Sequence, residues 1–299
     1  PTRRRGPVSE APSALLDPAF LARLGKLRLL VGRRYAGSAG GSRVSVRRGS
    51  SVEFADHRPY APGDDIRRID WNAYARLDEL VLRLYAAEED VNVYLLLDTS
   101  ASLAVGTPSK LEVARRVAAS LGYLGLLGSE RVAVQPYAGS LGRPLEAMRG
   151  RAKVGALMRY LVALEPSGET DLSRAVDSFL ARRPRPGLVI LLSDLLDRGG
   201  YQRPIDRLLA ARFEVVVFHV MDREELDPAL GGDLTLVDAE SEAEVNVTLD
   251  ARSLRAYRGR LDAFLAGARD YCRKRGVRYV LVPDEHFEDA LLRYLRSAG

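Results

Sequence analysis

Cysteine is nearly missing from this 299-residue chain: Cys272 stands alone, which excludes an internal disulfide and any cysteine-cluster metal site. Histidine is almost as scarce. His57, His219 and His286 are widely spaced, so a histidine-rich zinc centre is not expected, and His219, inside an apolar run, reads as a core residue. No apolar run approaches the ~18–20 residues that a membrane-spanning helix needs. The longest, Leu188–Leu192 and Val215–Val220, have the length of buried strands. Pro1 to Arg5 carries charge with no apolar stretch behind it, unlike a secretory signal. A cytoplasmic location is therefore expected, with membrane association only through a partner. Also missing are the Gly-x-x-x-x-Gly-Lys-Ser/Thr loop of P-loop ATPases and the Gly-x-Ser-x-Gly elbow of serine hydrolases.

What is present is an ordinary globular composition, 46% apolar and 28% charged. The net charge of +5 is unevenly spread: residues 1–50 hold 11 basic against 2 acidic residues, and the remainder is net acidic. The N-terminal arginines alternate with leucine and then with glycine and serine, so they read as a solvated face, and no nucleic-acid partner is expected.

Asp17-Pro18 reads as a helix start, and Phe20, Leu21, Leu24, Leu27 and Leu30 predict an amphipathic helix over 18–31. After a Gly/Ser-rich stretch, residues 44–60 read as short strands and turns, with a turn at Pro62-Gly63-Asp64-Asp65. From Val91 the texture changes to short apolar runs alternating with helical stripes. Strands are predicted at 91–97, 132–137, 188–193, 214–220 and 277–282, and helices along the stripe Val113, Val117, Leu121 and Leu124 and near 150–164, 171–182, 251–274 and 287–297. This alternation predicts an α/β protein with a doubly wound, mostly parallel sheet. The division expected is a disordered basic tail (1–14), an N-terminal α+β subdomain (15–90) and the sheet domain (91–299). An acidic hairpin insertion is expected at about 227–250, serving as a charged cover for a sheet edge or as a docking surface.

The first core strand ends in Asp98-Thr99-Ser100-Ala101-Ser102, where ligands of open α/β sheets bind. Asp-x-Ser-x-Ser puts a carboxylate and two hydroxyls on a tight loop, the oxygen donors that hard cations such as Mg²⁺ take. Thr170 before a helix and Asp194 closing another core strand supply further oxygens. If these residues serve structure alone, the hydroxyls cap helices and turns instead. These pieces resemble the metal-ion-dependent adhesion site of von Willebrand factor A domains. The resemblance implies a Mg²⁺ (or Mn²⁺ or Ca²⁺) site in which Ser100, Ser102 and Thr170 bind directly and Asp98 and Asp194 act mainly through water. An open position would take an Asp or Glu from a protein partner. One departure is Glu169, where that family commonly has glycine.

Upstream, Glu53, Asp56, Arg58, Asp64, Asp65, Arg67, Asp70 and Arg76 crowd around Phe54, Tyr60 and Trp71. The simple reading is an ion-pair network that locks the subdomain around a local core of Phe54 and Trp71; the other is a partner-binding face. The block, above all Gly63-Asp64-Asp65-x-Arg67-x-Ile69-Asp70-Trp71, resembles the bacterial family catalogued as domain of unknown function fifty-eight. In that family such a block precedes a von Willebrand A-like domain. That resemblance implies an adaptor for a MoxR-type AAA+ ATPase in chaperone-like assembly, non-enzymatic and metal-dependent. Two rivals stand beside it: a metal-dependent phosphatase-like hydrolase built on Asp98, and a scaffold with a vestigial metal loop. In the first, Ser100 stands where the acid/base of dehalogenase-type phosphatases falls.

Overall fold

The computed structural model describes residues 15–25, 52–87, 91–228, 232–237, 244–283 and 286–298. The tail expected over 1–14 and the Gly/Ser-rich stretch lie outside them. The chain divides into one unit of residues 33–90 and another made of 1–32 with 91–299. Helix α1 spans residues 18–25, opened by Asp17, whose Oδ1 accepts the Ala19 N–H; the expected extension to residue 31 falls outside the described residues.

In the smaller unit, β1 (Val52–Pro59) pairs antiparallel with β2 (Val81–Ala87), and α2 (Trp71–Leu77) lies between them in sequence. The expected turn is present, with Gly63 at φ +103°, a conformation costly for any side chain. Asp65 then caps a 3-10 turn (Ile66–Arg68), and Asp70 caps α2 by accepting the Asn72 and Ala73 N–H groups. One expectation is corrected. Trp71 is 60% exposed rather than part of a local core, and touches the Tyr74 ring edge-on. Helix α2 is two turns long and buries none of its residues; among the described residues here, Ile69, Val81 and Leu82 are the buried apolar ones.

The larger unit is built on a six-stranded sheet. Its strands are β3 (Asn92–Asp98), β4 (Arg131–Tyr137), β5 (Leu145–Met148), β6 (Leu188–Ser193), β7 (Glu214–Met221) and, after a hairpin of β8 (Gly232–Val237) and β9 (Glu244–Leu249), β10 (Arg278–Pro283). The order is β10-β7-β6-β3-β4-β5, all parallel except the edge strand β5. This is the doubly wound α/β arrangement, with a mostly parallel sheet, that the alternation predicted. The chain runs outward from β3 to β5, then crosses back to β6 on the other side of β3. The direction of winding therefore reverses between β3 and β6, which creates a crevice at their carboxyl ends.

Burial follows position. Every residue of β6 is buried, whereas only Val282 of the edge strand β10 is. One face is covered by α5 (Leu172–Ala181), α6 (Gln202–Ala210) and the end of α8 (Ala251–Lys274), whose Val176, Phe179, Ile205, Leu208 and Ala268 pack with Leu96, Val189 and Val217. On the other face α3 (Lys110–Leu127) reaches β3 through Gly122, where a Cβ would lie 2.6 Å from Leu157 on α4 (Val154–Val162) and 3.3 Å from Leu95. Helix α9 (Phe287–Ala298) packs against α1, with the Phe287 and Phe20 rings edge to face at 5.7 Å. So α1 belongs with the sheet, not with the segment that follows it in sequence. The acidic hairpin forms as expected, in a two-stranded sheet of its own with Leu234 opposite Val247.

Candidate functional site

Asp98 ends β3 and Asp194 follows β6, so the parallel pairing of these strands places both carboxylates at the crevice where the winding reverses. Both are buried, at 0% and 1% exposure. Ser100 and Ser102 follow Asp98 on a loop that enters a 3-10 turn (Ala101–Ala104). Two backbone bonds zip this loop to the one carrying Thr170: Ala101 N–H donates to the Gly168 carbonyl (2.9 Å) and Ser167 N–H to the Thr99 carbonyl (2.8 Å). Gly168 sits at φ +73° to present that carbonyl. Four of the five predicted positions, on the loops of Asp98 and Thr170, are thus brought together by main-chain bonds, and the fifth faces them across the crevice.

The hydroxyls do not cap the elements that follow them. Ser100 stands at the N-cap of its 3-10 turn, yet its side chain makes no cap bond; its Oγ lies 3.0 Å from Ser102 Oγ. It is completely buried. Thr170 is not a helix cap either, because Asp171 takes that position on α5 and accepts the Arg174 N–H at 2.8 Å. Glu169, the departure from the family pattern, is exposed.

Asp98 is held from several sides. Its Oδ1 accepts the Ser100 N–H (3.0 Å), and its Oδ2 accepts Ser193 Oγ (2.7 Å) and, at 3.4 Å, the Tyr137 hydroxyl. Burial, reinforced by the neighbouring Asp194 charge, pushes the Asp98 carboxyl up to about 7. The Tyr137 phenol is driven well above its usual range by the same burial.

Asp194 has a partner that sequence reasoning missed. Lys110, the first residue of α3, is 1% exposed, and its Nζ donates to Asp194 Oδ2 at 2.8 Å and to Glu225 Oε1 at 2.7 Å. Burial alone would lower the ammonium's pKa, but the two carboxylates more than offset it, so the pKa is raised. Glu225 lies on α7 (Arg223–Leu226), where its other oxygen closes a capping box on Asp222 N–H. No spacing rule announces such a lysine. The available signal was rarity, since Lys110 is one of only four lysines in the chain. Ser193, also missed as a participant, directly precedes Asp194.

The expected core histidine is confirmed: His219 is fully buried, its Nδ1 lies 2.7 Å from the Tyr279 hydroxyl, and burial holds its pKa down at about 4. The upstream charged block lies in the smaller unit. There Arg58 pairs with Asp64 at 2.7 Å, Asp70 Oδ2 meets His57 Nε2 at 3.0 Å, and Arg67 approaches exposed Asp65 only to 4.0 Å. The Ala61 N–H and the Arg58 guanidinium hold the Asp64 carboxyl below its usual range. Glu53 and Asp56 fall on β1, and Arg76 in the last turn of α2.

The donor set of the crevice is oxygen only. Among the described residues no cluster of three or more His, Cys, Asp or Glu side chains converges to hold a metal. Two carboxylates with two adjoining hydroxyls suit a hard, water-retaining cation rather than zinc or copper. The Asp98 side fits such an ion, through the hydroxyls of buried Ser100 and part-buried Ser102 beside an acid whose ionisation burial opposes. The Asp194 side is already engaged by an ammonium.

Fold and crevice together define a doubly wound α/β protein with buried carboxylates and hydroxyls at the point where the winding reverses. The model of the family described as "Protein of unknown function DUF58" matches residues 56–263, and the chain belongs to that family. An uncharacterized protein of Mycobacterium tuberculosis is 31% identical over 250 residues, 80% of this chain and 78% of that one. Among solved structures, the conserved hypothetical protein BatB from Bacteroides thetaiotaomicron is similar over 70% of this chain and 98% of its own, with 17% identity and a TM-score of 0.45. An aerotolerance-related membrane protein from Bacteroides fragilis is similar over 69% and 99%, with 15% identity and a TM-score of 0.43. In this chain, no helix among the described residues is long and apolar enough to cross a membrane.

Proposed function

We propose that this chain is a non-enzymatic, cation-dependent protein-interaction module whose site is the crevice between β3 and β6. The observation that carries the reading is Ser100: a fully buried hydroxyl at a cap position that caps nothing and pairs with Ser102 Oγ instead. Buried polar groups are retained where they have partners, and two hydroxyls facing each other beside a carboxylate make a natural pair of cation ligands. Ser100, Ser102 and Thr170 would hold Mg²⁺ or Mn²⁺, with Asp98 and Asp194 acting through water. The cation would supply incompletely neutralised positive charge at an open position. A partner's Asp or Glu is the matching group. The family resemblance supports an adaptor role beside a MoxR-type AAA+ ATPase, in the cytoplasm.

The test is calorimetric titration of Mg²⁺ and Mn²⁺ into the chain and into its Asp98→Ala and Ser100→Ala variants. Saturable one-site binding, lost in both variants, is expected. Absence of binding to the folded chain contradicts the reading. It would leave the scaffold alternative, which the Lys110–Asp194 pair favours because a lysine already neutralises the crevice.

A further inference from the structure

The chain's own ammonium lies where a cation reading would place charge. Lys110 Nζ is 2.8 Å from Asp194 Oδ2 and 2.7 Å from Glu225 Oε1, and the lysine side chain is 1% exposed. The second Asp194 oxygen is taken as well, by the Leu196 N–H at 3.2 Å. Asp194 therefore has protein donors on both oxygens. A divalent ion drawn toward Asp194 must approach a fixed positive charge in a water-poor crevice, where like charges repel far more strongly than in bulk water. The ammonium is also anchored from outside the crevice. Glu225 is fixed by the capping box of α7, and its backbone carbonyl accepts the Tyr257 hydroxyl of α8 at 2.7 Å. The lysine thus joins the start of α3, the end of β6 and the helix after β7.

We propose that Lys110 is a tethered cation that competes with a divalent ion for Asp194, and so sets how tightly this crevice binds metal. Glu225 is a positioning residue that shares the ammonium with Asp194 and so weakens its hold there. The inference rests on the cation-site reading above, but the two separate in experiment. Lys110→Met keeps the length of the side chain and removes its charge. Its Mn²⁺ affinity, measured by calorimetry, is expected to rise at least tenfold over the parent chain. Its thermal midpoint is expected to fall without metal and to recover with Mn²⁺ by more than the parent's does. In the double variant Lys110→Met/Asp194→Asn the tenfold gain should vanish, because the contested oxygen has lost its charge.

Binding by the parent chain with the same affinity in Lys110→Met overturns the competition and leaves the cation site standing. No binding by the parent, but saturable binding by Lys110→Met, supports the tethered cation and overturns the metal-dependent function. No binding by either folded chain overturns both. A Lys110→Met chain that stays unfolded at saturating Mn²⁺ also overturns the inference. Glu225→Gln, at a side chain 24% exposed, is the milder probe: it leaves Lys110 to Asp194 alone and is expected to weaken Mn²⁺ binding severalfold. Unchanged or tighter binding in that variant counts against the proposal.

Discussion

Two charged clusters use the same residue types to opposite ends. In the crevice, Lys110 and Asp194 meet at 2.8 Å, each 1% exposed, among strands buried on both faces. In the smaller unit, Arg58 and Asp64 meet at a similar 2.7 Å, but the arginine side chain is 48% exposed. Distance is nearly equal and surroundings are not, so the electrostatic weight of the pairs differs. Water screens the second pair, while the first trades a large desolvation penalty for a strong mutual hold. A buried ion pair is therefore weak evidence of net stability, yet breaking it on one side is severe. The density of charge in residues 53–76 drew attention in the sequence, while the more consequential lysine stood alone.

That contrast can be broken in order of expected effect. Asp194→Ala leaves Lys110 buried with a single, partly exposed partner, and should lower the stability of the sheet unit by about 3–5 kcal/mol in a denaturant melt followed by circular dichroism. A loss below about 1 kcal/mol would show that water reaches the crevice. Next comes Asp98 in metal-free protein. Its carboxyl rises from 3.8 to about 7 on folding, so between those values the native state binds a proton that the unfolded chain does not. Its contribution to stability therefore falls as pH rises through about 4 to 7 and is constant above. Asp98→Asn should remove that slope, read as the difference between the two melting-midpoint profiles. His219, lowered to about 4, tilts both profiles in the opposite sense and cancels in the difference.

In the smaller unit, Asp70→Ala deletes the α2 cap and the contact with His57, at an expected loss of about 1 kcal/mol. The change should be visible in the emission of Trp71, the single tryptophan of the chain. Arg58→Ala should shift the same transition by no more than the error of the melt, with the small effect vanishing in high salt. Cys272, buried and with its thiol pushed up to about 11, should resist alkylation at pH 8 until the chain unfolds.

The main features of the sheet were legible because apolar runs and helical stripes are local signals. The run at 188–193 coincides with β6, and 251–274 with α8. Helices α2, α6 and α7 and strand β5 were not anticipated. Helix α6 carries Pro204 in its first turn and buries only Ile205 and Leu208 besides that proline, too sparse a stripe to stand out. Strand β5 has four residues and pairs with β4 on one side alone. Trp71 was placed in a core because aromatic residues usually bury, but two turns of helix offered it no inner face. In the crevice, Asp98, Ser100, Ser102, Thr170 and Asp194 could be named because their donor chemistry is written into short motifs. Lys110 could not, since its partners lie 84 and 115 residues away and meet it only through the winding of the sheet.

The most direct test of the central claim is an anomalous-scattering map from crystals grown with Mn²⁺. A single peak at coordination distance from Ser100 Oγ and Ser102 Oγ, on the Asp98 side of the crevice, is the predicted result. A crevice without a peak, or manganese bound only at the acidic hairpin, would contradict the account.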